Sequence, residues 1–223
     1  MSSRGTHRVV GATAVALGLM VVQAALAEAP VVRYNAADQA AAKVAVLKAA
    51  DFGAGWKGGY RKATAMVSEA CPGVWEPKQA DLVITGVAES QFAASGVSVS
   101  TTAQVYKTAR MAELDWARTV VHPAVVPCMR KQYSRESDAE MRFVSLKVTP
   151  FPRVGDRAIR MRVIAIYTPS GGGSSMKLVL DGIAFGRGRT GVAMNVIAPY
   201  SERAIVEAAE LRLARMLVRR FRV

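Results

Sequence analysis

Histidine is the scarcest chemically useful residue in this sequence, with two copies, His7 and His122. Neither belongs to an HxH or HExxH spacing, so a histidine-based zinc site is excluded. Cysteine is equally sparse: Cys71 and Cys128 are the only two, and no CxxC spacing lowers a thiol pKa. The chain also lacks a G-x-S-x-G elbow, a G-x-x-x-x-G-K-[ST] loop and a dinucleotide-binding glycine fingerprint. Its acids, among them Asp81, Glu89, Glu113, Asp115, Asp138, Glu140, Asp156 and Asp181, are scattered. None forms a motif that pairs a general acid with a base, although acids distant in sequence can meet in a fold. The reading is therefore of a protein that is not an enzyme, with no catalytic, cofactor-binding or metal-ligating residue to name and no cofactor.

Long apolar runs are missing as well, apart from one at the start. Met1 to Arg8 carries Arg4 and Arg8, Val9 to Val22 is apolar, and Ala25-Leu26-Ala27 precedes Glu28. This is the pattern of a secretory signal peptide over 1–27 with a small-x-small cleavage site. The apolar run falls short of the roughly 20 residues a membrane span needs. Residues 28–223 are then expected to form a single α+β domain, secreted or held in the cell envelope, with no transmembrane segment after cleavage. In an exported chain an even cysteine count predicts a disulfide, Cys71–Cys128.

Charge of one sign is also in short supply: 17 acids face 30 lysines and arginines, a formal charge of +13. Removal of Arg4 and Arg8 lowers it to +11. Anionic envelope polymers, lipids and acidic ligands all suit such a surface. Export argues against nucleic acid as a partner, and the Gly186-Arg187-Gly188-Arg189 stretch reads as a tight hairpin rather than an RNA-binding tail. Lys57, Arg61 and Lys62 beside Tyr60 read first as a solvated basic loop and only second as an anion grip. Arg118, Arg130, Lys131, Arg135, Arg153, Arg157, Arg160, Arg162, Arg187 and Arg189 contribute to this charge. Several of them are expected on loops or outward strand positions, where they would shape the field over a sheet.

What is abundant is β-pattern. The runs 143–150, 158–169, 175–186 and 189–199 are rich in Val, Ile, Phe and Tyr and bounded by Pro or Gly. Alternation through Ile159, Met161, Val163, Ala165 and Tyr167 predicts one core face, with Arg160 and Arg162 turned largely to solvent. Segments 81–87 and 98–105 read as two further strands around a turn at Gly96. Helices are predicted over 36–50 (stripe Ala40, Val44, Leu47; N-cap Asn35), 108–119 (Ala109, Ala112, Trp116) and 201–220. The last carries a stripe of Ile205, Ala209, Leu213, Met216, Leu217 and Phe221 behind an N-cap at Ser201, and is expected to cover the sheet. Pro127 is read as part of the helix-ending stretch after Thr119, and 128–143 as a polar loop or short surface helix. Phe52 and Trp56 read as core anchors of a glycine-rich turn.

The ordered set AVLKAADFGAGW, LVITGVAESQF, VYKTARMAELDW, Cys128, FPRVGDRAIRMRV, DGIAFGRGRTGVAMNV and SERAI…LARMLVRRF resembles two groups of actinobacterial exported proteins. One is the secreted PsbP-like proteins; the other is the extracellular sensor domains of mycobacterial serine/threonine kinases. The resemblance implies a twisted antiparallel sheet of about five or six strands packed against helices on one face. It also implies a non-catalytic extracytoplasmic binding or sensing module. The basic charge and an uncommitted sheet face add the expectation of a small apolar or amphipathic ligand or an anionic envelope component. An envelope protein–protein interaction or structural module is the alternative, and a divergent hydrolase the third. No ligand-binding residue transfers from the resemblance.

Overall fold

The β-rich runs form strands of one sheet, extended well beyond their expected number. A computed structural model describes residues 29–68, 70–170 and 173–221; the expected leader over 1–27 lies outside them. In chain order the strands are β1 (Val31–Val32), β2 (Lys57–Arg61), β3 (Val83–Ala94), β4 (Val97–Tyr106), β5 (Met141–Thr149), β6 (Arg157–Tyr167), β7 (Met176–Arg187) and β8 (Thr190–Pro199). Between and after them come α1 (Ala36–Val44), α2 (Ala109–Asp115), α3 (Val125–Arg135) and α4 (Arg203–Arg219). The α+β class is as expected. The sheet has eight strands in the order β1-β3-β4-β8-β7-β6-β5, with β2 also on β3. Every pairing is antiparallel except β1 with β3.

Several elements differ from the sequence reading for local reasons. The basic KGGYR stretch is a strand, not a loop, because it pairs residue for residue with Glu89–Ala93. Asn35 does cap α1, accepting the Asp38 N–H at 2.9 Å. That helix stops at Val44, however, and its buried positions are Asp38 and Ala42 rather than Ala40. Ala45, Val46 and Leu47 then enter the core as a turn whose Leu47 N–H donates to Thr101 Oγ1 at 3.1 Å. Pro127 does not end a helix; it lies in the first turn of α3, where a missing N–H costs nothing. At Gly86 a Cβ would lie 2.2 Å from the Asp38 carbonyl oxygen, so only glycine lets α1 approach β3 this closely.

Helices cover both faces of the sheet, where one covered face was expected. On one face α1 and α4 enclose the main core of Phe92, Val99, Ile183, Phe185, Met194, Leu213 and Leu217. On the other, α2 packs on Tyr106, and α3 carries Cys128 and Met129 against Met161. The Cys71–Cys128 disulfide is present and buried, joining positions 57 residues apart. It packs with Trp75 and Val125, and the Trp75 Nε1–H donates to the Arg118 carbonyl at 3.1 Å.

Candidate functional site

The α4 stripe keeps Leu213, Leu217 and Phe221 buried as expected. In the first turns of α4, however, Val206 and Glu210 are buried in place of Ile205 and Ala209, and a cavity lies beside the helix there. Val206, Glu210, Leu213, Ala214, Leu217 and Val218 are the buried positions, while Ile205 is 76% exposed. Ile205 and Ala209 instead face the side of α4, where a cavity of about 350 Å3 lies between the helix, the 52–56 loop and the β3–β4 hairpin. Its wall is mainly apolar: Phe52, Trp56, Val97, Val99, Val196 and Leu213 contribute most of it. Phe52 stacks on Trp56 with ring centroids 4.4 Å apart and leans on Phe92 at 4.8 Å. These two aromatics are core anchors as expected, and their free edges also form the cavity wall.

Two ion-pair systems hold this wall in place. At the loop, Arg220 at the end of α4 clamps both Asp51 carboxylate oxygens, one at 2.9 Å, and the Lys48 N–H donates to Asp51 at 2.8 Å. Burial pushes the Asp51 carboxyl up, but the bonds from Arg220 and Lys48 outweigh it and leave its pKa below the ordinary value. Next to Glu210, Arg162 donates to Asp181 through Nε at 2.7 Å and through Nη2, and to Glu207 through Nη1. Arg160 reaches Thr149, the Pro150 carbonyl and, at 3.3 Å, Glu210. The expectation that Arg160 and Arg162 face solvent is therefore overturned. Their partners Glu207 and Glu210 come from α4, which lies on what the alternation marks as the outer face.

Glu210 lines the cavity together with Glu202 and Arg212, and its side chain is 1% exposed. Burial, with Asp181 pressing on it, raises its pKa to about 8. Its buried Oε1 has no hydrogen-bond partner among the described residues. The folded state thus binds a proton between pH 4.5 and about 8 that the unfolded chain releases. Stability must fall as pH rises through that window. Glu210→Gln, which mimics the protonated acid, should flatten this fall in melting temperature between pH 5 and 8.5. An unchanged slope would place the proton elsewhere.

The remaining sequence candidates are dispersed. Arg118 forms a two-bond pair with Asp81 at 2.7 and 3.1 Å, and Arg189 spans Asp38 and the Tyr106 carbonyl. That contact, led by Arg189, holds the Asp38 pKa at about 2. Arg130 donates to the Leu146 carbonyl, and Arg157 lies 5.8 Å from the Trp116 ring centre. Of the expected field, Arg160 and Arg162 are drawn inside, whereas Arg130, Lys131, Arg135, Arg153 and Arg189 are exposed as expected. A smaller cavity of about 170 Å3 lies under α2, where a π turn over Trp116–Val120 follows the helix. There Tyr106 Oη–H donates to Asp115 at 2.6 Å, and Gln79 and Gln104 complete a chain that also receives the Met66 and Ser68 N–H groups. Burial raises both the Asp115 and Tyr106 pKa. These side chains satisfy one another and pin the 66–68 segment to the sheet. Among the described residues no group of three or more His, Cys, Asp or Glu is placed to hold a metal.

No protein-family profile matches the chain, and no curated protein is significantly similar to it. Distant structural similarity exists to the extracellular domain of PknH from Mycobacterium tuberculosis. The identity is 12%, 79% of this chain and 95% of that one are covered, and the TM-score is 0.43. A putative uncharacterized protein from Mycobacterium smegmatis aligns at 15% identity over 80% of this chain and 98% of that one, with a TM-score of 0.42.

Proposed function

We propose that this chain is an exported, non-catalytic binding module that takes a small apolar or amphipathic molecule into the cavity beside α4. The carrying observation is the cavity itself. Its 350 Å3 falls in the lower part of the range of ligand pockets, and its walls are aromatic and aliphatic. Glu210, the most deeply buried of its ionisable wall groups, is held neutral at pH 7, so an uncharged ligand portion meets no charge at that position. Glu202 and Arg212 also line the cavity. An apolar side chain as open as Ile205 at the rim has no structural task in the free protein. The exported location rests on the leader pattern, and a buried disulfide agrees with an oxidising compartment.

The test is a titration with a fluorescent fatty-acid analogue, alongside native mass spectrometry of protein purified from its own envelope. Ala209→Trp, which projects an indole into the cavity, should weaken probe binding at least ten-fold while leaving the fold intact. Equal binding by this variant would sink the cavity as the site. An interaction module is the second reading, favoured by the outermost strand β5, whose Val144 and Val148 are exposed along an unpaired edge. It predicts a co-purifying protein whose capture depends on those two valines and not on Ala209.

A further inference from the structure

The side of α4 turned away from the sheet carries Ile205, Ala208, Arg212, Arg215 and Arg219, all exposed. The spacings of three, four, three and four residues place them on one line along the helix, about 21 Å long at 1.5 Å per residue. No acid lies on that line. The two acids of α4 are turned elsewhere, Glu207 to Arg162 and Arg203, and Glu210 to Arg160 in the interior. Among the described residues, Arg212, Arg215 and Arg219 form no ion pair, in contrast to Arg220 and Arg203 on the same helix. The sequence predicts arginines at this helix end as dipole partners, but the dipole reaches only the last turn and does not explain Arg212 or Arg215.

We propose that this line is a docking surface for an anionic lipid membrane, which it meets with α4 lying along the headgroups. A soluble polyanion would satisfy the arginines equally well, but it offers nothing to Ile205. A bilayer offers both, because an exposed apolar side chain at the head of a cationic line enters the acyl boundary while the arginines stay among phosphates. The geometry has a functional consequence. Ile205 and Arg212 belong to the line and also to the cavity wall, and the exposed Gly53-Ala54-Gly55 loop forms the opposite lip. Docking through α4 therefore sets the cavity mouth at the membrane surface, where an amphipathic molecule can pass between bilayer and cavity. The transfer step rests on the proposed cavity function; the membrane contact does not.

The experiment is flotation of the whole protein with vesicles of phosphatidylcholine alone or mixed with phosphatidylglycerol, at low and high salt. The protein should float with the anionic vesicles only, and less at high salt. Replacing Arg212, Arg215 and Arg219 together by Gln should weaken this about a hundred-fold, from about five-fold per arginine, with an unchanged melting temperature. Replacing the exposed Lys131, Arg135 and Arg142 by Gln should leave binding essentially intact. Ile205→Ser should weaken vesicle binding and leave binding to soluble polyphosphate unaffected. Equal losses in the two triple variants, no flotation with anionic vesicles, or full vesicle affinity in Ile205→Ser would each overturn the proposal. Ala209→Trp separates the two readings: it should lose the fatty-acid probe and still float.

Discussion

Arg162→Ala should cost the folded state about 3–5 kcal/mol, the loss typical when one member of a buried ion cluster is removed. The side chain is 11% exposed and Asp181 beneath it 1%. Arg162 binds both oxygens of Asp181, and those bonds, with Glu207, raise its pKa above the ordinary arginine value despite burial. Without the guanidinium, Asp181 is a buried carboxylate facing Glu210, whose proton is then the only relief. The measurement is urea unfolding of the wild type, Arg162→Ala, Asp181→Leu and the double variant. The double variant should be more stable than Arg162→Ala, because it leaves no orphaned charge. A single-variant loss below about 1 kcal/mol would mean water reaches the cluster and screens it.

Replacing Cys71 and Cys128 by Ala should remove roughly 4 kcal/mol through the entropy of the loop they close, with a fall in melting temperature on the order of 10 °C. The bond ties α3 to the segment that carries Trp75, which is otherwise held by the Trp75–Arg118 and Gln79–Asp115 hydrogen bonds and the Arg118–Asp81 pair. Reduction of the intact protein should reproduce the effect, and the α4 cavity on the other face should keep its probe affinity. Loss of probe binding in parallel with loss of the bond would show the two faces to be coupled. A cost near zero would show that Trp75 and the Gln79–Asp115 bond hold the segment unaided.

The sequence made the four C-terminal strands, the hairpin at Gly96 and the disulfide legible, because each depends on local pattern or on a count of two. What it hid depends on partners far along the chain. Arg160 and Arg162 alternate with apolar residues and so resemble a wet strand face. The acids that draw them inside, Glu207 and Glu210, lie 45 and 50 residues later on a helix that reads as a simple apolar stripe. The Lys57–Arg61 strand carries two glycines and three polar or charged neighbours, and it is extended only because β3 offers it an edge. The cavity was half legible: Phe52 and Trp56 stood out as anchors, but periodicity placed Ile205 in the core. Its exposure follows from how α4 rotates to bury Val206 and Glu210.

The place of β8 in the sheet order bears on how the molecule is made. The β3–β4 hairpin and the β5-β6-β7 meander share no ladder; β8 lies between β4 and β7 and pairs with both along most of its length. Two partial sheets must therefore wait, each with an open edge, until β8, which follows both in the chain, arrives to join them. The clamps Asp38–Arg189 and Asp51–Arg220 span 151 and 169 residues and cannot close earlier. Such a topology, dominated by pairings distant in sequence, folds slowly, and the two partial sheets stay open until β8 is present. Under the proposed export, that delay is compatible with passage across a membrane as an unfolded thread.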